Sequence, residues 1–178
     1  MRIFLYLSAI ILANVLTAKF PPIALGALFF PVGSFLIGAT FIFRDLVQNK
    51  YGRKRTYMFI TLALVLSAIA SYMLGDTLMI VFASAVSFII SEVCDTEIYT
   101  RMKSAFIKRV FISGVVGGTL DSVVFVVIGM SPLGAGFLPW ELVPNAIMGQ
   151  LLAKIGLQAI GALVLYQAIK IPKFKEAL

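Results

Sequence analysis

Six apolar runs follow one another along this chain, each about as long as a helix needs to cross a bilayer. A spanning helix takes about 20 mainly apolar residues. Such runs lie near 3–18, 23–43, 57–74, 77–94, 110–129 and 144–169. The gaps between them are short: Lys19-Phe20-Pro21-Pro22, Arg44 to Arg55, Gly75-Asp76, Asp95 to Arg109, and Met130 to Val143. The runs are continuously apolar rather than alternating, which speaks against a β-barrel. Hydrophobic residues make up 61% of the 178, against roughly 45–50% in soluble domains. A soluble chain this short could not cover such a core with polar surface. The expected architecture is therefore all-α and polytopic, one domain over residues 1–178 folded as a bundle of six transmembrane helices. The first run resembles the core of a signal peptide. It lacks a clear small-residue cleavage site and is followed at once by another span, so it reads as a helix that stays.

The charges fix an expected orientation. The net charge of +7 would suit a nucleic-acid partner, but the basic residues sit in the gaps between apolar runs, where cytoplasmic loops of membrane proteins carry them. No nucleic-acid partner is expected; the partner surface is the lipid bilayer. With six spans, Arg2, Arg44, Lys50, Arg53, Lys54, Arg55, Arg101, Lys103, Lys108, Arg109, Lys170, Lys173 and Lys175 fall on one side, 13 of the 15 Lys and Arg. The other side holds Lys19, and Lys154 lies within a span. Both termini are expected in the cytoplasm of a multi-pass protein of the plasma (inner) membrane. The lone Cys94 allows no intrachain disulfide. The absence of histidine removes Ser-His chemistry and the usual proton relay. No Asp-rich metal motif stands out. No enzymatic activity, cofactor or metal is expected, and the oligomeric state stays open, a homodimer included.

The informative residues are the polar ones inside the runs. An ionisable side chain near the bilayer centre costs at least ~2.5–3.5 kcal/mol, and such residues mark substrate or ion sites. Asp121 sits midway along the fifth run and Lys154 about ten residues into the sixth. They are either a site between helices or a buried pair that holds the bundle together, although such a pair is often no better than apolar packing. Gly114, Gly118, Asp121 and Phe125 share one helix face, and Gly114 and Gly118 form a GxxxG pattern that lets a neighbouring backbone approach. Gln150, Lys154 and Gln158 share a face of the sixth run. Ser84, Ser87, Ser91 and Asp95 line one face of the fourth, with Glu92 beside it and Tyr99 one turn on if the helix continues. Asn14 and Thr17 are candidate cavity residues on the first. Arg44 and Asp45 close the second run, either capping it at the interface or facing a cavity.

Four segments resemble a known family. They are Phe43-Arg44-Asp45-Leu46-Val47-Gln48 with Tyr51-Gly52-Arg53; Ser91-Glu92-Val93-Cys94-Asp95 with Tyr99 and Arg101; Gly117-Gly118-Thr119-Leu120-Asp121-Ser122 with Phe125; and Gly149-Gln150-Leu151-Leu152-Ala153-Lys154. In this order they resemble the queuosine precursor transporter family, also called the vitamin uptake transporter family, from about Asn14 to Tyr166. Longer members carry Asp-x-x-Asn-Glu where this chain has Gln48 and Asn49, so the chain resembles the short subgroup with the Arg-Asp pair. The resemblance implies a six-helix importer of a 7-deazaguanine such as 7-cyano-7-deazaguanine, a precursor of the queuosine tRNA modification.

The polar inventory suits such a purine-like small molecule. Its two adjacent donors match a carboxylate, supplied by Asp121 or Glu92. Its carbonyl and nitrile are acceptors for Lys154 and Gln150. Its flat ring wants an aromatic wall, Phe125 or Phe43. Asp95, Asn14, Arg44 and Asp45 complete the candidate substrate-binding set. The rival reading is the substrate-binding S component of an energy-coupling-factor vitamin importer, which docks a partner module through a small-xxx-small face on its first helix; Ala9 and Ala13 would give that face.

Overall fold

Proline decides where the second helix starts. The computed structural model describes residues 1–26 and 28–171. Helix α1 (Arg2–Lys19) ends before Pro21-Pro22. The apolar run that follows does not continue as a helix. Ile23–Leu25 (β1) and Leu28–Phe30 (β2) form an antiparallel hairpin pairing Ile23 with Phe30 and Leu25 with Leu28. Gly26 takes a positive φ of 61° at its turn, a conformation glycine adopts without the Cβ penalty. Pro31 keeps Phe30 extended, because a residue preceding proline is pushed out of the helical region. Helix α2 therefore runs over Val32–Tyr51 rather than the expected 23–43. Arg44 and Asp45 do not close a span; they lie well inside a helix, both fully buried.

The remaining helices follow the expected runs with longer ends. They are α3 (Arg53–Met73), α4 (Leu78–Arg101), α5 (Phe106–Phe125) and α6 (Val143–Ala168). Gly52, at a φ of 78°, alone separates α2 from α3, so Arg53, Lys54 and Arg55 open a helix instead of filling a loop. A π-helical turn, Val126–Met130, extends α5, and a short 3₁₀ turn, Trp140–Leu142, leads into α6. At 1.5 Å per residue, 20 residues cover roughly 30 Å, the thickness of the hydrocarbon core. Five of these segments are long and apolar enough to cross a membrane; α2 is not among them. Its Arg44, Asp45, Gln48 and Asn49 dilute an otherwise apolar helix.

The packing is inside out relative to a soluble protein. Arg44, Asp95, Glu92, Gln158 and Lys154 are buried, while Leu163 is 65%, Val164 61% and Met58 69% exposed. Apolar side chains outward and charges inward is the arrangement lipid demands. The helices alternate in direction. Arg2 donates to the Leu46 carbonyl at 3.0 Å, Tyr57 to Glu97 at 2.6 Å, and Gln158 to the Val110 carbonyl at 2.7 Å. These contacts gather the starts of α1, α3 and α5 and the ends of α2, α4 and α6 at one pole, the basic end. The hairpin, Asp76 and the 131–142 loop lie at the other.

Glycines set how close the helices come. A methyl added at Gly149 of α6 would fall on the backbone carbonyl of Phe29, and one at Gly33 of α2 on the Ala13 carbonyl and Thr17 hydroxyl of α1. Backbone cannot yield as a long side chain can. Gly156 on the same α6 has open space around it. Gly149→Val should therefore destabilise by about 1–3 kcal/mol through overpacking. Gly156→Ala should be neutral or gain up to ~1 kcal/mol, the usual advantage of Ala over Gly in a helix. Thermal unfolding of the purified variants in detergent compares them, and equal losses at both positions would contradict the close hairpin-to-α6 approach.

Candidate functional site

The polar faces of all six long helices meet in one cavity of about 240 Å³, reaching from the hairpin end to mid-bundle. That is just under the roughly 300–1,000 Å³ of typical small-molecule sites, a size for one compact ring compound. Pro22, Pro31, Asp76 and Phe137 line its mouth, and Phe88, Ser91 and Glu92 its floor. Of the nine residues singled out from the sequence, six line it: Asn14, Glu92, Asp121, Phe125, Gln150 and Lys154.

Lys154 organises one wall. Its Nζ donates to Asp121 Oδ2 at 2.7 Å, to Ser122 Oγ at 2.8 Å and to Gln150 Oε1 at 3.2 Å, using all three protons. Its stem lies on Gly118, where a Cβ would stand 3.5 Å from Lys154 Cβ. The GxxxG pattern thus brings α6 close enough for the ion pair to form. Asp121 stays 15% exposed, toward the cavity it lines. Asn14 is held by Ser67, donating to its Oγ at 2.9 Å and its carbonyl at 3.1 Å. At the mouth, the Ser71 hydroxyl makes a short hydrogen bond to Asp76.

The other three candidates, Arg44, Asp45 and Asp95, sit one layer deeper in a separate cluster. Arg44 Nη1 lies 3.1 Å from Asp45 Oδ1, Nε lies 3.2 Å from Glu92 Oε2, and Nη2 pairs with Asp95 Oδ2. Nη1 also donates to Gln48 Oε1 at 2.9 Å and Thr96 Oγ1 at 3.1 Å. A guanidinium suits this position because its rigid fork offers several donors in one plane. Glu92 belongs to both sites: it lines the cavity and ion-pairs with Arg44. Beyond the cluster the basic end is closed. Gln48 donates to Thr100 at 2.8 Å, Tyr99 to Asn49 at 3.3 Å, and Arg109 lies 4.0 Å over the Tyr99 ring while its Nε donates to the Tyr99 carbonyl.

One expectation about walls is corrected. Phe43 packs on the Tyr6–Val47 cluster away from the cavity, and Phe41 lines it instead. Gln158 is buried on the same face as Gln150 and Lys154 but beyond the cavity; it packs against Gly114 and donates to the Val110 carbonyl. The Phe41 wall had a signal in the sequence. Ser34, Ile37, Phe41, Arg44 and Gln48 are spaced i, i+3, i+7, i+10, i+14, one continuous helix face, which is hidden when the helix is taken to end at residue 43.

A family model described as "Putative vitamin uptake transporter" matches residues 71–168, a stretch holding α4, α5, α6 and with them Glu92, Asp121, Gln150 and Lys154. No curated protein and no solved structure matches the chain. Apolar helices turned outward, ion pairs and a cavity turned inward, and a family match over more than half of the length lead to one conclusion: the chain is a multi-pass membrane protein belonging to the vitamin uptake transporter family.

Proposed function

We propose that the protein imports a queuosine precursor, a neutral 7-deazaguanine such as 7-cyano-7-deazaguanine, through the central cavity. The observation that carries this reading is the Asp121–Lys154–Gln150 wall. Lys154 spends its protons on Asp121, Ser122 and Gln150, so it acts by orienting its neighbours. Because Gln150 accepts from Lys154 through Oε1, its amide N–H₂ is left to donate toward a ligand carbonyl. Asp121, reached by Lys154 at Oδ2, offers its carboxylate to the two-donor edge of the ring. Phe41 and Phe125 supply flat apolar walls. Segments resembling the queuosine precursor subgroup hold Asp121, Phe125, Gln150 and Lys154, which supports the substrate over other vitamins.

The rival S-component reading needs the Ala9–Ala13 face free for a partner module. Those two alanines are 7% and 1% exposed, and the α1 backbone at Ala13 is approached by Gly33 of α2. That favours a carrier working by itself. The test is a rescue in cells that neither make nor import the precursor. Given this gene as the one added transporter, they should regain queuosine in tRNA when fed the precursor. No queuosine without an added ATPase module would favour the S-component reading; none under any combination would sink the substrate.

In this reading α2 is the sixth span and the basic end is cytoplasmic, following the positive-inside rule. In a background with Cys94 replaced by Ser, an impermeant thiol reagent added outside should label Asp76→Cys and Ala135→Cys and spare Arg53→Cys and Lys103→Cys. Labelling of Arg53→Cys from outside would reverse the orientation.

A further inference from the structure

The Arg44 cluster holds more negative than positive charge. Three carboxylates, Asp45, Glu92 and Asp95, face a single guanidinium, a formal surplus of two negative charges if all were ionised. All four side chains are at most 1% exposed. An interior this dry does not hold unbalanced charge of that size; something positive accompanies the cluster. Lys154 lines the same cavity but is already paired with Asp121, and Arg109, which acts on Asp45 from the basic end, supplies one positive charge at most.

We propose that Glu92 is a proton-coupling site, taking a proton from the cavity and delivering it to the cytoplasmic side together with the substrate. This deepens the import reading and rests on it. Glu92 is the carboxylate that belongs to both layers: it lines the cavity and touches the Arg44 Nε. The groups facing it are Tyr6 from α1, Arg44 and Asp45 from α2, Asp95 one turn along α4, and Asp121 with its partner Lys154 across the cavity. The Tyr6 hydroxyl is fully buried beside Glu92 and interacts with its carboxyl group. A metal ion fits poorly. The centre of the three carboxylates is filled by the guanidinium, and no described group of three acidic side chains is arranged around an open point, whereas a hard cation needs six or more oxygens.

The consequence is mechanical. Protonated Glu92 no longer attracts Arg44, and the pair joining α4 to α2 weakens. Those two helices carry the Gln48–Thr100 and Asn49–Tyr99 contacts that close the basic end. Proton uptake from the outer cavity therefore loosens the inner closure, and release of the proton inside restores it.

Two readouts test this. The first needs no substrate: infrared difference spectroscopy of the purified protein in lipid should show the C=O stretch of a protonated carboxyl group at neutral pH, and Glu92→Gln should remove it. A wild-type protein with no such band overturns the proposal, as does a band kept in Glu92→Gln and lost in Asp95→Asn. The second uses wild-type vesicles with labelled 7-cyano-7-deazaguanine supplied outside, the membrane potential clamped. Acid outside should raise accumulation about tenfold per pH unit for one proton. Exchange of the compound without any response to the pH gradient overturns coupling while leaving import intact. Vesicles that neither bind nor exchange the compound refute the substrate, and the infrared band alone then decides whether Glu92 holds a proton.

Discussion

Replacing Arg44 with alanine is expected to remove the protein from the membrane fraction. The substitution leaves Asp45, Glu92 and Asp95 buried around a vacant centre. Removing one partner of a buried pair typically costs 3–5 kcal/mol, and here one side chain serves three carboxylates and accounts for hydrogen bonds to Gln48 and Thr96. A fold held by about 5–15 kcal/mol has little left after such a loss. Arg44→Lys should recover part of the yield, because the charge remains, yet a single ammonium cannot face the three acids from separate nitrogens. The measurement is the yield of monodisperse protein after detergent extraction, followed by thermal unfolding. Normal yield and stability for Arg44→Ala would mean that the acids are neutral without it, and the charge cluster would lose its structural role.

Asp121 and Lys154 should behave in the opposite way, with transport failing while the protein still inserts. Asp121 keeps contact with the cavity, so an unpaired Asp121 can be hydrated there, unlike Asp45 and Asp95 around Arg44. Truncating one member of a hydrogen-bonded charge pair at a binding site costs about 2–5 kcal/mol, and each 1.4 kcal/mol is tenfold. Uptake by Lys154→Ala or Asp121→Ala is therefore expected to fall at least ~30-fold. The control is Asp121→Leu combined with Lys154→Met. An apolar replacement of a buried pair is often neutral or stabilising, so the double variant should be at least as stable as the wild type and still inactive. Full transport by the double variant would show that the pair only holds α5 to α6.

These contrasts explain what the sequence makes legible and what it hides. The bundle is legible because lipid imposes a single rule, a long apolar run, and five helices obey it without exception. Asp121, Lys154 and Glu92 stand out by the same rule in reverse, since a charge inside such a run needs a reason. Helix α2 breaks the rule at both ends. Its first two expected turns are diverted into a hairpin by Gly26 and Pro31, a local backbone effect that hydropathy does not register. Its last two turns carry Arg44, Asp45 and Gln48, polar enough to look like a loop while buried by partners on α4. Charge complementarity between helices far apart in sequence rescued those turns, and no local pattern encodes it. The same boundary error put Phe43 in place of Phe41 on the cavity wall. Gln158 shares the buried face of Gln150 and Lys154, as its spacing indicates; the cavity ends before its level and the Val110 carbonyl takes its amide.

The most direct measurement is competition for uptake of labelled 7-cyano-7-deazaguanine into vesicles that contain this protein and no other. Saturable uptake is expected for the wild type, with loss of it in Asp121→Asn and weak competition by the deazapurine that lacks the exocyclic amine. A site built around hydrogen bonds rejects an analogue missing one of them, here by about 1–3 kcal/mol. Uptake in which the amine-less compound competes as well as the precursor, or in which Asp121→Asn transports normally, would contradict the recognition described here.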